Sequence, residues 1–196
     1  MAELPPSKPG FLPTGAGAIA VVLGAAACCV VVAMIAVPNF LRFGKSPKDR
    51  EAQSNLKGAF AAERSYFSEK DAFTVAIDQV GFSPERGNRY LYAFASDGEL
   101  LVPGKRALGH VGVEPDAARH PGVEVAALER AIPDALWDEV GITGECPACS
   151  ITIVAAGNLD DDATIDVWSI STKDRTIDGT PVTAGTPWRH VDDSAK

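Results

Sequence analysis

The chain has 196 residues, a formal net charge of -8 and a pI near 4.9. Such a surface lacks the basic footprint that phosphate backbones attract, so nucleic acid is not expected as a main partner. The length suits one compact domain plus a separate segment better than two large domains, and the 46% of hydrophobic residues are crowded toward the N-terminus.

Residues 1–10 form a short leader or cytoplasmic tail that carries only Glu3 and Lys8 and ends at Gly10-Phe11. From Phe11 to Leu41 there is no charged residue. About 20 apolar residues at 1.5 Å each cross a bilayer, and residues 11–43 are expected to be a transmembrane helix. A cleaved secretory signal is the alternative for an apolar N-terminal run, but its hydrophobic region is ordinarily shorter than this one. Ala16, Ala20, Gly24 and Cys28 recur every four residues, a stripe along which a second helix can approach closely, although an Ala-rich segment also produces such spacing by chance. Cys28 and Cys29 lie within the apolar run and read as small packing residues. Arg42, Lys45, Lys48 and Arg50 follow the span, so charge bias alone would place the C-terminal part in the cytoplasm.

Gly44-Lys45-Ser46-Pro47 reads as a break, with Ser46 able to cap a new helix and Pro47 at its first position. Over residues 44–72 the spacing predicts an amphipathic helix. Ala52, Leu56, Ala59, Phe60, Tyr66 and Phe67 fall on one side, and Lys57, Glu63, Arg64 and Glu69 tend to the other. The apolar side is expected to pack under a sheet.

Pro38-Asn39-Phe40-Leu41-Arg42-Phe43, Glu51-Ala52-Gln53-Ser54-Asn55-Leu56-Lys57 and Tyr66-Phe67-Ser68-Glu69-Lys70 resemble the helix of type IV pilin-like proteins, a family that includes the pseudopilins of type II secretion. Gly81-Phe82-Ser83-Pro84, Arg89-Tyr90, and the stretch from Gly157-Asn158-Leu159-Asp160 to Val167-Trp168 resemble the globular part of such proteins. The resemblance implies an α+β fold: a long N-terminal helix, its first half embedded in the inner membrane before assembly, its second half packed on a small antiparallel sheet. It also implies a structural role, in a pilus or a secretion filament, with other pilin-like subunits, the inner-membrane assembly machinery and membrane lipid as partners. The C-terminal part would then be periplasmic or extracellular.

The N-terminus departs from the family. Gly10-Phe11 offers the glycine-phenylalanine pair after which leaders are cut, but it lies farther from Pro38 than the family spacing allows. The glutamate the family places at the fifth mature position is Gly15 when counted from Phe11 and Val21 when counted back from Pro38. Pro13 would also disturb the first helical turn. These departures point to a minor pilin or pseudopilin, or to a membrane-tethered binding module that no longer polymerises.

Residues 73–196 are expected to form a β-rich head. Arg89 to Ala95 alternates around Tyr90, Tyr92 and Phe94, and Ser96-Asp97-Gly98 supplies a turn before Glu99 to Val102, which predicts a hairpin. Residues 103–149 read as a loop insertion with a short helix near Val125 to Arg130 and an apolar patch at Leu136 and Trp137. Ser150 to Ala156 and Thr164 to Ser171 read as strands joined by an acidic turn, and the tail from Asp174 is full of turn residues. A sheet of about four strands is expected.

Asn158, Asp160, Asp162, Thr164 and Asp166 stand at alternate positions, the spacing with which a calcium loop wraps oxygen ligands around a hard cation. Ala163 replaces the glycine of that pattern and Ser169 its bidentate glutamate, and a solvated acidic turn uses the same residue types. Calcium is the one candidate cofactor. Cys146-Pro147-Ala148-Cys149 fits a tight disulfide, half of a zinc site or a redox motif. In the extracytoplasmic domain the resemblance implies, a disulfide is the simplest of these; His110, His120 and His190 show no paired ligand spacing. No nucleophile elbow, phosphate loop or metalloprotease helix is present, and the chain is not expected to be an enzyme.

Overall fold

The computed structural model describes residues 50–160 and 162–193. The chain divides into two units between Lys45 and Ser46, and every described residue belongs to the second. The leader, the expected span over 11–43 with Ala16, Ala20 and Gly24, and the break at Ser46 lie outside the described residues. Among those described, no helix is long and apolar enough to cross a membrane.

Helix α1 runs through residues 50–70. Its inner side is Ala52, Leu56 and Ala59, all fully buried, and burying a side chain such as Leu56 contributes about 1.5–3 kcal/mol. The helix stops where Asp71 takes a left-handed conformation (φ 53°) and returns its amide to Phe67 O at 2.9 Å; aspartate fills the place that glycine usually takes at a helix C-terminus. Glu63, expected on the polar side, continues the inner stripe four residues after Ala59 and is fully buried. A period of 3.6 puts it there whatever its polarity.

A short helix α2 (Ile77–Val80) leads to strand β1 (Tyr90–Ala93). Tyr90, Tyr92 and Phe94 face α1, while Leu91 and Ala93 face away. The expected hairpin does not form. Strand β2 (Gly112–Val113) pairs antiparallel with β1, and residues 99–102 lie beyond it, with Leu101 bridging Val113 in parallel. Gly112 permits the intrusion, because a Cβ there would stand 2.1 Å from Tyr92 O and 2.7 Å from Leu100 Cδ2.

The insertion over 103–149 carries the short helix expected near Val125 to Arg130, which is α3 (Val125–Ala131), and adds helix α4 (Asp134–Trp137), set off from it by Pro133, and strand β3 (Gly141–Thr143). Ile132, before the proline, is extended (φ -72°, ψ 124°), as the proline ring requires. Leu128, Ile132, Leu136 and Val140 pack on Leu91, Ala93, Val154, Ala156 and Val167. The sheet is thus covered on both faces, by α1 on one and by α3 and α4 on the other.

Strands β4 (Ser150–Gly157), β5 (Asp166–Ser171) and β8 (Trp188–Val191) complete the sheet, which has six strands instead of four in the order β2-β1-β4-β5-β8, with β3 beside the first half of β4. The tail also holds a ribbon of β6 (Arg175–Ile177) and β7 (Thr180–Val182). Its turn is Asp178-Gly179, both at positive φ (51° and 77°), the requirement of a type I′ hairpin. Because β8 runs antiparallel to β5, Val191 lies opposite Val167. The chain leaving β8 therefore emerges at the end of the sheet where the β4–β5 turn sits.

Candidate functional site

Residues 158–165 join β4 to β5 in a chain of side-chain turns. Asn158 Oδ1 accepts the Asp160 amide at 3.2 Å, Asp160 Oδ1 the Asp162 amide at 3.4 Å, and Asp162 Oδ1 the Thr164 amide at 2.6 Å. Asn158 Nδ2 donates to Asp162 O at 2.7 Å. These bonds explain the alternate Asn and Asp spacing, since each short polar side chain bonds the backbone two residues on. Asp193, just beyond β8, reaches the same turn and accepts the Leu159 amide at 2.7 Å through Oδ2.

Asp160, Asp162 and Asp193 each offer a carboxylate oxygen within 4.8 Å of the other two. Unit charges at such spacing repel by about 1 kcal/mol per pair even in bulk water, and more in a protein interior. Burial raises the pKa of Asp193, the Leu159 amide opposes the rise, and Asp160, Asp162 and Asp166 add to it. Three oxygen donors from two chain segments can hold a hard cation. With no histidine or cysteine in the group, zinc does not suit it.

Asp166 belongs to a different construction. Its buried carboxylate accepts Tyr90 Oη at 2.6 Å and Trp168 Nε1, and Arg189 Nε lies 3.0 Å from Oδ1. The Arg189 guanidinium stacks 4.6 Å above the Trp168 ring and also pairs with Asp192 at 2.7 Å. Burial raises the Asp166 pKa, against the lowering effect of Tyr90, Trp168 and Arg189. Asp166 therefore ties β1, β5 and β8 together on the α1 side, so the alternating pattern is split between a surface turn and an interior network.

Two further features flank the head. Arg175 Nη2 donates to Ser169 Oγ at 2.9 Å, and Ser169 Oγ meets His190 Nε2 at 2.7 Å. Above them a cleft of about 320 Å³ is lined by Leu136, Glu139, Ile177 and Asp178 among others. Cys146 and Cys149 form a disulfide in the turn between β3 and β4, the simplest of the three readings of that pair.

Residues 43–118 match the family model for type IV pilin PilA. The chain is 37% identical to the type IV major pilin protein PilA of Myxococcus xanthus (strain DK1622), in an alignment that covers 72% of this chain and 72% of the relative. The chain belongs to the type IV pilin family. The matched stretch contains α1, α2, β1 and β2, the helix-on-sheet junction from which the family was legible, and it ends before the acidic turn, the disulfide and the Arg175 cleft. Among the functional residues expected from sequence, Asp160 and Asp162 are brought together, Asp166 is turned inward, and the Asn158 side chain bonds within its own turn. Asp193 was not anticipated. Gly10 and Phe11 lie outside the described residues.

Proposed function

We propose that this pilin is a structural subunit of a type IV pilus, held in the inner membrane by its apolar N-terminal segment before assembly and carrying an extracytoplasmic head. The observation that carries this reading is the PilA match across the junction where α1 lies on β1. There the apolar side of α1 is consumed by its own head through Ala52, Leu56 and Ala59. The uncharged run from Phe11 to Leu41 supplies the anchor and the surface for partner subunits. Both matches are pilus proteins, which favours a pilus over a secretion filament. The place where the family carries its glutamate is Gly15 or Val21, which favours a minor subunit over the bulk building block.

The same residues favour a second reading, a tethered extracytoplasmic binding module that does not polymerise. Intact mass and N-terminal sequencing of the protein from native membranes separate the two. A start at Phe11 is the result expected of a pilus subunit, and a start at Met1 or Ala2 would support the permanent tether.

A further inference from the structure

The cleft over Ser169 and His190 lies outside the stretch that matches the family model, and it is built from separate parts of the head. Arg175 and Ile177 come from β6, His190 from β8, Leu136 from α4, Glu139 from just after it, and Asp178 from the turn of the ribbon. Arg175 is half-buried, yet among the described residues it makes no ion pair. Burial lowers its pKa, and Glu139 opposes that fall. A guanidinium drawn partly out of water without a paired anion is costly. This one is also held in place from beneath. Arginine only donates, so the fully buried Ser169 Oγ accepts from Nη2 at 2.9 Å and gives its own proton to His190 Nε2 at 2.7 Å. Burial, and then Arg175, lower the His190 pKa to about 4, so the ring is neutral and its proton stays on Nδ1. The remaining N–H groups of Arg175 are left for the cleft.

We infer that this cleft binds a zwitterionic α-amino acid with an apolar side chain, its carboxylate on Arg175, its ammonium toward Glu139 and Asp178, and its side chain against Leu136 and Ile177. The charges decide between ligand classes. With His190 neutral, the lining holds the one positive charge of Arg175 and the two negative charges of Glu139 and Asp178. A simple anion is therefore repelled on balance, and a simple cation meets Arg175, whereas a molecule that carries both charges satisfies both sides. A planar guanidinium fork suits a carboxylate, and the exposed Glu139 and Asp178 can turn to an ammonium group. A volume of about 320 Å³ stands at the low end of small-molecule sites, so it suits one such molecule and not a folded chain segment. The inference concerns the head by itself and stands whether or not the chain polymerises.

The test uses the full-length protein in detergent micelles. L-leucine is titrated by calorimetry, and the melting temperature is followed in parallel. The expected result is one site per chain, with millimolar or tighter affinity, and a melting temperature that climbs with leucine. Isocaproate, which lacks the amine, and isoamylamine, which lacks the carboxylate, should each bind at least tenfold more weakly. Glycine should do the same, because it has no side chain to bury against Leu136 and Ile177. Arg175→Lys keeps the charge without the fork and should lose at least tenfold in leucine affinity. The double variant Glu139→Gln/Asp178→Asn should lose as much while melting like the wild type without ligand, since both side chains are exposed and asparagine accepts the left-handed turn at position 178. Asp97→Asn, an exposed carboxylate in another turn, should bind like the wild type. Equal binding of isocaproate or isoamylamine would overturn the inference, because one charge would then suffice. Undiminished leucine binding by the double variant, or no calorimetric or thermal response at millimolar leucine, would overturn it as well.

Discussion

The hydroxyl of Tyr90 on β1 reaches the carboxylate of Asp166 on β5 at 2.6 Å, across the intervening strand β4. It can do so because the residue between them in register is Gly157, paired with Tyr90 on one side and with Asp166 on the other. A Cβ at Gly157 would stand 2.7 Å from Tyr90 Cδ1. Gly157→Ala should therefore lift the ring off β4 and cost about 1–3 kcal/mol. Tyr90→Phe should keep the packing but remove a charge-assisted bond worth about 2 kcal/mol. Denaturant unfolding checks both, and an unchanged midpoint in either variant contradicts this account of the network.

Glu63 gives a pH signature. Burial raises its pKa from 4.5 to about 7, opposed by the Thr74 amide at 3.3 Å. Because the folded value is raised, the folded protein keeps a proton that the unfolded chain releases. The contribution of this group is complete below pH 4.5, declines as pH rises toward 7, and stays lost above it. Glu63→Gln should leave stability nearly unchanged at pH 4 and raise it relative to the wild type at pH 8, by on the order of 2–3 kcal/mol. Melting temperatures of the pair across that range provide the check, and a constant difference between them would refute it.

His190 works in the opposite sense. Burial first, and then the Arg175 guanidinium, lower its pKa to about 4, with Asp178 opposing. The unfolded chain takes up a proton near pH 6.5 that the folded ring refuses, so stability from this group is complete above that value and is lost as pH falls toward 4. Proton NMR of the His190 ring should show a midpoint near 4. A midpoint near 6.5 would mean that the Ser169 and Arg175 contacts do not enclose the ring as described.

The helix and the two central strands were legible because their signals are local. Ala52, Leu56 and Ala59 repeat at helical spacing, and Ser150 to Ala156 is a run of β-formers. The second helical layer was legible only in part. The short helix expected near Val125 to Arg130 is α3, but Leu128, Ile132, Leu136 and Val140 recur at steps of four across Pro133, so no single helix accounts for them, and α4 read only as an apolar patch at Leu136 and Trp137. The hairpin expected around Asp97-Gly98 was displaced by β2, whose credential is Gly112, a residue that marks close approach only once its neighbours are known. Within the acidic site, Asp160 and Asp162 were found from their spacing, but the same spacing included Asp166, which the pleat of β5 turns inward. Asp193 was invisible because its proximity comes from β8 returning alongside β5, a long-range pairing with no local pattern.

The disulfide between Cys146 and Cys149 closes only a short turn, so chain entropy limits its contribution to about 2 kcal/mol. Cys146→Ser/Cys149→Ser should fold and should lower the melting temperature modestly, with hydrogen exchange increased at β3 and the start of β4 and unchanged at β5. A variant that fails to fold would show that the bridge holds more than its own hairpin.

Membership of a filament is measured most directly by shearing surface filaments from the native cells and quantifying this chain by mass spectrometry in the filament and membrane fractions. A minor pilus subunit should co-sediment with the filaments, at a small fraction of the major subunit. Recovery of the chain exclusively from membranes, while filaments from the same cells contain none, would contradict assembly and leave the tethered module as the reading.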